Sequence, residues 1–251
     1  MFGISLYQQK HLELPIQGRK PFNPRSFFAT LFSAGRLDAK PNTPYLSQIP
    51  CSWGAVYFPE HWEEFHSFLA YRLSEYSVIP ISTPIVPAVR SNLWLSSWKR
   101  FFIELVYLRG YVMLYPNFEG FISLSTNHLE PGAHVKAPPL FNSATFVYPN
   151  NLNVTYDVDK EKEKRDLFRL PLMQLPLHPE KTTGLLRLPD NRLPLFNDLP
   201  ILNLTGYLTS QKALQNQGEQ RRQELFNCHG NFSHSAVLYS VLDLFCIADK
   251  D

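Results

Sequence analysis

One stretch limits the fold more than any other: 96–118, SSWKRFFIELVYLRGYVMLYPNF. Trp98, Phe101, Phe102, Leu105 and Leu108 recur at three- and four-residue steps, which lays one broad apolar face along a helix. Ser96 or Ser97 supplies the side-chain oxygen suited to cap its start. Arg109 and Gly110 form a stop, a cation near the negative helix end followed by a residue free to take positive φ. YVMLY follows at once and reads as a buried strand over Tyr111–Tyr115. Helix, glycine and strand in this order specify an α/β layer.

The rest of the chain is compatible with that layer. FGISLY near the start and GAVYF at 54–58 read as strands. Pro15–Ser47 is loop-rich, punctuated by Pro21, Pro24, Pro41 and Pro44, with a helical turn at Ser26–Phe32. A helix is expected over Glu60–Leu73, where Trp62, Phe65, Leu69 and Leu73 mark an apolar face and Glu60, Glu63 and Glu64 favour the helix start. Gly120–Thr126 reads as a further strand. Val135–Asn153 contains Pro138, Pro139 and Pro149 and reads as loop. Lys160–Asp166, KEKEKRD, is a solvated charge run, and the Pro-Leu pairs of Leu170–Pro200 suit an extended path. Gln211–Phe226 is the last polar helix, with Gly206 and Gly218 as candidate breaks. The 251 residues fit a single domain, with 135–200 as a loop-rich insertion or surface wrap.

Charge excludes some partners. A net charge of +2 with no basic block gives nothing to steer the chain to nucleic acid or an anionic membrane. The most apolar segment, Ala236–Ala248, is interrupted by Asp243 and is short of a membrane span. MFGISLYQQKHLE lacks the pattern of a secretory signal. Cys51, Cys228 and Cys246 have no metal-type spacing, and their odd number argues against a full disulfide framework. Three sequons, at Asn153, Asn203 and Asn231, point the other way, toward a secretory compartment.

Three constellations bear on chemistry. In PCSWGAVYFPEHWEEFHSFL, at 50–69, a helix beginning at Glu60 brings Glu60 and Glu64 one turn apart, with Glu63 and His66 near that face. A carboxylate there, beside tryptophan, could act as general base or hold a sugar hydroxyl. The same acids can simply cap the helix while Trp53 and Trp62 fill core. In STNHLEPGAH, His128, Glu130 and His134 could hold a divalent metal, although their spacing matches no standard zinc pattern and also suits a polar loop. Asp157-Val-Asp159 has a metal-binding form but lies beside KEKEKR and reads as a surface turn. Hydrolase elbow, phosphate loop and GxGxxG patterns are absent from the sequence.

Five blocks then occur in order: SLYQQKHLEL at 5–14, PCSWGAVYFPEHWEEFHSFL at 50–69, SWKRFFIELVYLRGYVMLYPNF at 97–118, SLSTNHLEPGAH at 123–134 and LPDNRLPLFNDLPILNLTG at 188–206. Together, over most of the chain, they resemble the C-terminal part of fungal glycosyltransferase family 2-like proteins. The resemblance implies a partial GT-A-like mixed sheet flanked by helices, with long Pro-rich loops. It implies transfer of a sugar from a nucleotide sugar to a glycan or glycoconjugate acceptor. In such enzymes the first half carries the nucleotide-binding units and an Asp-x-Asp metal motif, and the later half the acceptor site. This chain would correspond to the acceptor side, which accounts for its abrupt strand start and implies weak or absent donor binding alone.

By the same resemblance Glu60 and Glu63 are the catalytic candidates, and Trp53, Gly54, His61, Trp62 and Asn127 line the acceptor side. His128 or His134 would reach the donor phosphates or a Mn²⁺ or Mg²⁺ ion. The implied location is the Golgi lumen or secretory pathway; a chain complete as given would be cytoplasmic. The rival expectation is a non-catalytic binding or scaffold protein that descends from a truncated glycosyltransferase.

Overall fold

In a computed structural model of the chain, the structure describes residues 1–118, 121, 124–125, 146–147, 153–154, 193–226 and 241–245. The chain forms two compact units, Met1–Phe121 with Leu186–Asp251, and Ile122–Leu185.

The larger unit is an α/β fold built on a six-stranded mixed sheet flanked by helices. Its strands are β1 (Gly3–Ser5), β4 (Tyr45–Ser47), β5 (Ala55–Tyr57), β6 (Met113–Tyr115), β9 (Ile201–Leu202) and β10 (Leu208–Thr209), in the spatial order β10-β9-β4-β6-β1-β5. β1 runs parallel to β6, with Gly3 opposite Met113, and antiparallel to β5, with Gly3 opposite Tyr57. β4 runs antiparallel to β6 and parallel to β9, with Leu46 opposite Ile201. A separate ribbon pairs β2 (His11–Leu12) with β3 (Lys20–Pro21). In the smaller unit β7 (Phe146–Val147) pairs antiparallel with β8 (Asn153–Val154).

Period-two alternation sorts the strand side chains onto two faces. Tyr45, Met113, Tyr115 and Leu202 join a large core with Phe2, Phe28, Phe65, Phe68 and Phe102. Leu46, Leu114 and Ile201 point the other way, into a smaller cluster with Val112, Leu199 and Leu214. Five helices complete the described fold: α1 (Pro24–Ser33), α2 (Pro59–Leu73), α3 (Trp98–Arg109), α4 (Gln211–Phe226) and the short α5 (Val241–Leu244).

α3 is the central helix. Every residue from Arg100 to Arg109 is buried, Phe102 and Leu105 completely. Gly110 ends it in the left-handed conformation at φ 65°, as the Arg-Gly stop predicts. Ser97 occupies the N-cap position, but its side chain makes no capping hydrogen bond. The strand that follows is shorter than expected, Met113–Tyr115 rather than Tyr111–Tyr115. The aromatic repeat of α2 is also rotated from its expected face. Glu64, Phe65, Phe68 and Arg72 are buried while Trp62 and Leu73 are exposed.

That rotation turns charge inward. Arg72 donates from Nε to Glu104 Oε2 at 3.1 Å and from its terminal nitrogens to the carbonyls of Ile79 at 2.8 Å and Thr83 at 3.1 Å. Arg100 donates to the Ile81 carbonyl at 2.8 Å and lies 3.4 Å from Glu104 Oε1. Two guanidinium groups therefore grip the 79–83 connector from inside. Burial pushes the Glu104 carboxyl above its ordinary range, against the pull of both arginines.

Gly218 was a candidate break, yet α4 runs through it. A Cβ at Gly218 would stand 2.3 Å from the Leu108 carbonyl oxygen and 2.7 Å from that of Tyr107. The glycine serves the close approach of α4 to α3. Gly206, at φ 86°, does mark a turn, between β9 and β10. The central strand β4 lies in the loop-rich stretch Pro15–Ser47, and β9 and β10 lie in 201–210, to which the sequence assigns no element. Of the expected strand Gly120–Thr126, the described residues Phe121, Leu124 and Ser125 belong to no strand.

Candidate ligand-binding site

β1 and β6 run parallel, and the chain leaving their carboxyl ends opens a small cleft. Tyr7, Gln9 and Glu13 come from the segment after β1, and Tyr115 from the end of β6. Ile49–Trp53 comes from the β4–β5 connection, Lys99 from the first turn of α3, and Arg19 from the β2–β3 ribbon. Ligand sites of open α/β sheets collect beyond strand carboxyl ends for this reason, since the connecting loops diverge there.

The floor is rigid. Tyr115 donates its hydroxyl to the Ile49 carbonyl at 2.8 Å, and Tyr57 donates to the Cys51 carbonyl. The Cys51 thiol donates to the Trp53 carbonyl at 3.2 Å, and Leu6 N–H donates to the Gly54 carbonyl at 2.8 Å. Gly54 takes φ 70°, which turns the chain sharply into β5 and leaves Trp53 at the rim. The indole is 51% exposed and tilts against Tyr7 with ring centroids 6.0 Å apart. Burial pushes the Cys51 thiol upward and the Tyr7 phenol to about 12, so both are neutral hydrogen-bonding groups near pH 7.

The polar wall carries three charges. Glu13 accepts from Lys99 Nζ at 3.0 Å through one oxygen, and its other oxygen lies 3.8 Å from an Arg19 terminal nitrogen. Gln9 is only 6% exposed; its amide nitrogen donates to the His11 carbonyl at 2.8 Å. Its Oε1 is buried with no hydrogen-bond partner among the described residues. A buried acceptor left unpaired costs about 1–3 kcal/mol. The cleft volume is about 40 Å³. A single water needs roughly 10–15 Å³ on this measure, so the space takes a carboxylate or hydroxymethyl group while the rest of a ligand lies against Trp53.

The structure divides the residues singled out in the sequence. Trp53 and Gly54 sit at the cleft. Glu60, His61, Trp62 and Glu63 begin α2, at the other end of β5, about 10 Å away along a three-residue strand. Glu60 and Glu63 face solvent. Trp62 stacks on Tyr57 at 5.2 Å and meets Trp98 edge-on at 6.0 Å. His61 lies edge-on to Tyr111 at 4.8 Å, its Nδ1 buried without a hydrogen-bond partner among the described residues. Burial and the nearby terminal amine lower its pKa, against the pull of Glu64 and Glu60. Glu64 is the buried acid of the run, accepting from Arg109 Nε and the Tyr111 hydroxyl, each at 2.7 Å.

Asn127, His128, His134, the Asp157–Asp159 pair and Asn231 lie outside the described residues. Among the described residues no group of three or more His, Cys, Asp or Glu is placed to hold a metal. No described helix is long and apolar enough to cross a membrane. Nothing in the sequence spacing marks Gln9, Glu13, Arg19 and Lys99 as a group. They meet because β1 pairs with β6 and α3 returns its first turn to that edge. The available signal was the polar run Gln8-Gln9-Lys10-His11 directly after a strand. No family model, curated protein or solved structure matches the chain.

Proposed function

We propose that the α/β unit binds a saccharide end in the cleft under Trp53, as the acceptor side of a glycosyltransferase-like protein. The observation that carries this reading is a cleft lined by Gln9, Glu13 and Lys99 and rimmed by a half-exposed indole. Trp53 offers a flat apolar face to the C–H side of a sugar ring. The Glu13 carboxylate accepts from ring hydroxyls, and the Lys99 ammonium donates to them. A pocket of mixed apolar and polar character with few fixed polar groups is the ordinary form of a small-molecule site.

Sugar transfer from a nucleotide sugar is the activity that the sequence resemblance adds to this binding reading. Glu60 and Glu63 would then serve an acceptor that reaches along β5 toward α2, with one carboxylate taking the proton from the attacking hydroxyl. A non-catalytic saccharide-binding protein is the second reading, favoured by the distance between the cleft and those carboxylates. Isothermal titration with galactose, glucose and mannose oligomers tests the binding claim, with Trp53→Ala as control. Millimolar or tighter binding that Trp53→Ala abolishes is expected; no binding by these oligomers or by an acidic one refutes it. Titration with nucleotide sugars and Mn²⁺ separates the readings, because micromolar metal-dependent binding requires a donor site. A secretory location belongs to the transferase reading, and a glycosidase gel shift after expression with a leader tests it.

A further inference from the structure

We infer that the cleft selects an acidic saccharide, one bearing a carboxylate beside its hydroxyls, such as a uronic acid end. This rests on the saccharide reading above and names its ligand class. Among the described residues, the charged groups lining the cleft are Glu13, Arg19 and Lys99, two cations against one anion. A neutral sugar leaves that surplus positive charge unanswered, while a carboxylate neutralises it.

Lys99 is placed to make the contact. Its side chain is 13% exposed, and among the described residues its ammonium has one partner, Glu13, for three donor protons. Arg19 is held loosely, 3.8 Å from the other Glu13 oxygen, so its planar fork can turn to a second carboxylate at little cost. Gln9 lines the cleft as a neutral group, so the ligand carboxylate lies on the Lys99–Arg19 side. The pocket volume admits a carboxylate but not a sugar ring, which places the ring on Trp53. Cations, the Glu13 acceptor and the aromatic platform thus line one cleft and match the carboxylate, hydroxyl and C–H face of one hexuronic acid. Charge-assisted hydrogen bonds are about twice as strong as neutral ones, and an advantage of at least about tenfold over the neutral sugar is expected.

The test is calorimetric titration of the chain with galacturonate, galactose and acetate at low salt, repeated with Lys99→Met and Lys99→Arg. Galacturonate should bind at least about tenfold more tightly than galactose. Lys99→Met should collapse that ratio toward one, and Lys99→Arg should retain most of it. Circular dichroism checks that each variant is folded. Should Lys99→Met not fold, Arg19→Gln at the exposed rim must shrink the ratio instead. Equal affinity for galacturonate and galactose, both abolished by Trp53→Ala, overturns the charge inference and keeps the saccharide reading. Acetate binding as tightly as galacturonate overturns the claim that hydroxyls are read. Failure of both sugars overturns the saccharide reading itself.

Discussion

Replacing Gly218 with alanine should destabilise the fold, although the same change stabilises an ordinary helix. In an open helix Gly→Ala contributes about 1 kcal/mol of stability. Here the new Cβ would meet the Leu108 carbonyl oxygen at 2.3 Å, the Tyr107 oxygen at 2.7 Å and the Leu108 carbonyl carbon at 2.8 Å. Real Cβ atoms essentially never come closer than 3.0 Å, so α4 must withdraw from α3 by about 1 Å. The obstacles are backbone atoms of a buried helix and cannot rotate away. Overpacking by one methyl group costs about 1–3 kcal/mol, and backbone obstacles favour the upper half of that range. The net loss is then about 1–2 kcal/mol, and Tm should fall by about 2–4 °C per kcal/mol for a chain of this size. Urea unfolding at 25 °C measures it, with the exposed Asn216→Ala on the same helix as the propensity control. The control should be neutral or slightly stabilising. A Gly218→Ala chain as stable as the control would show that α4 does not approach α3 this closely.

Phe102→Ala, at a fully buried position in contact with Phe2, Tyr57 and Phe65, should cost about 3–5 kcal/mol, and a loss under about 1 kcal/mol would contradict the placement of α3 at the centre. Asn203→Ala should cost about 1–2 kcal/mol by denaturant titration, because its Oδ1 accepts from Thr205 N–H, the Thr205 hydroxyl and Tyr207 N–H, each at 3.0 Å. Burial keeps the phenols of Tyr45, Tyr57 and Tyr115 above their usual value of 10 and Tyr7 at about 12. Folded chains therefore hold more protons than unfolded ones above pH 10, so stability should be intact below 10 and fall as pH rises through 12. Absorbance at the phenolate band should show these phenols titrating with unfolding; free titration of all twelve near pH 10 in a folded chain would disprove their burial.

Four of the five described helices were legible in the sequence; α5 and half of the sheet were not. α3 and α4 carry their limits in local residues, Arg109-Gly110 for one and a polar run ending at Phe226 for the other. β4, β9 and β10 become strands only when paired across the sheet, whereas β1, β5 and β6, equally short, lie in the runs FGISLY, GAVYF and YVMLY. The helix face of α2 misled for another reason. Arg72 and Glu64 are charged, and only their distant partners Glu104 and Arg109 make them interior residues. The site divided in the same way. Trp53-Gly54 is a local turn and could be read directly. Gln9, Glu13, Arg19 and Lys99 are brought together by strand order, which no spacing along the chain records.

The pairing of Leu46 with Ile201 also sets a timetable. On the ribosome, β1, β4, β5 and β6 emerge well before β9 and α4, which supply Ile201 and Leu214 to the cluster around Leu46 and Leu114. At about 5–20 residues per second, that face of the nascent sheet waits on the order of ten seconds with its leucines uncovered and β4 unpaired on one side. Long-range parallel pairing is intrinsically slow, so this sheet can close only after β9 and α4 have emerged. During that wait the growing chain presents an apolar surface and an open strand edge, the features by which chaperones and other nascent chains would engage it.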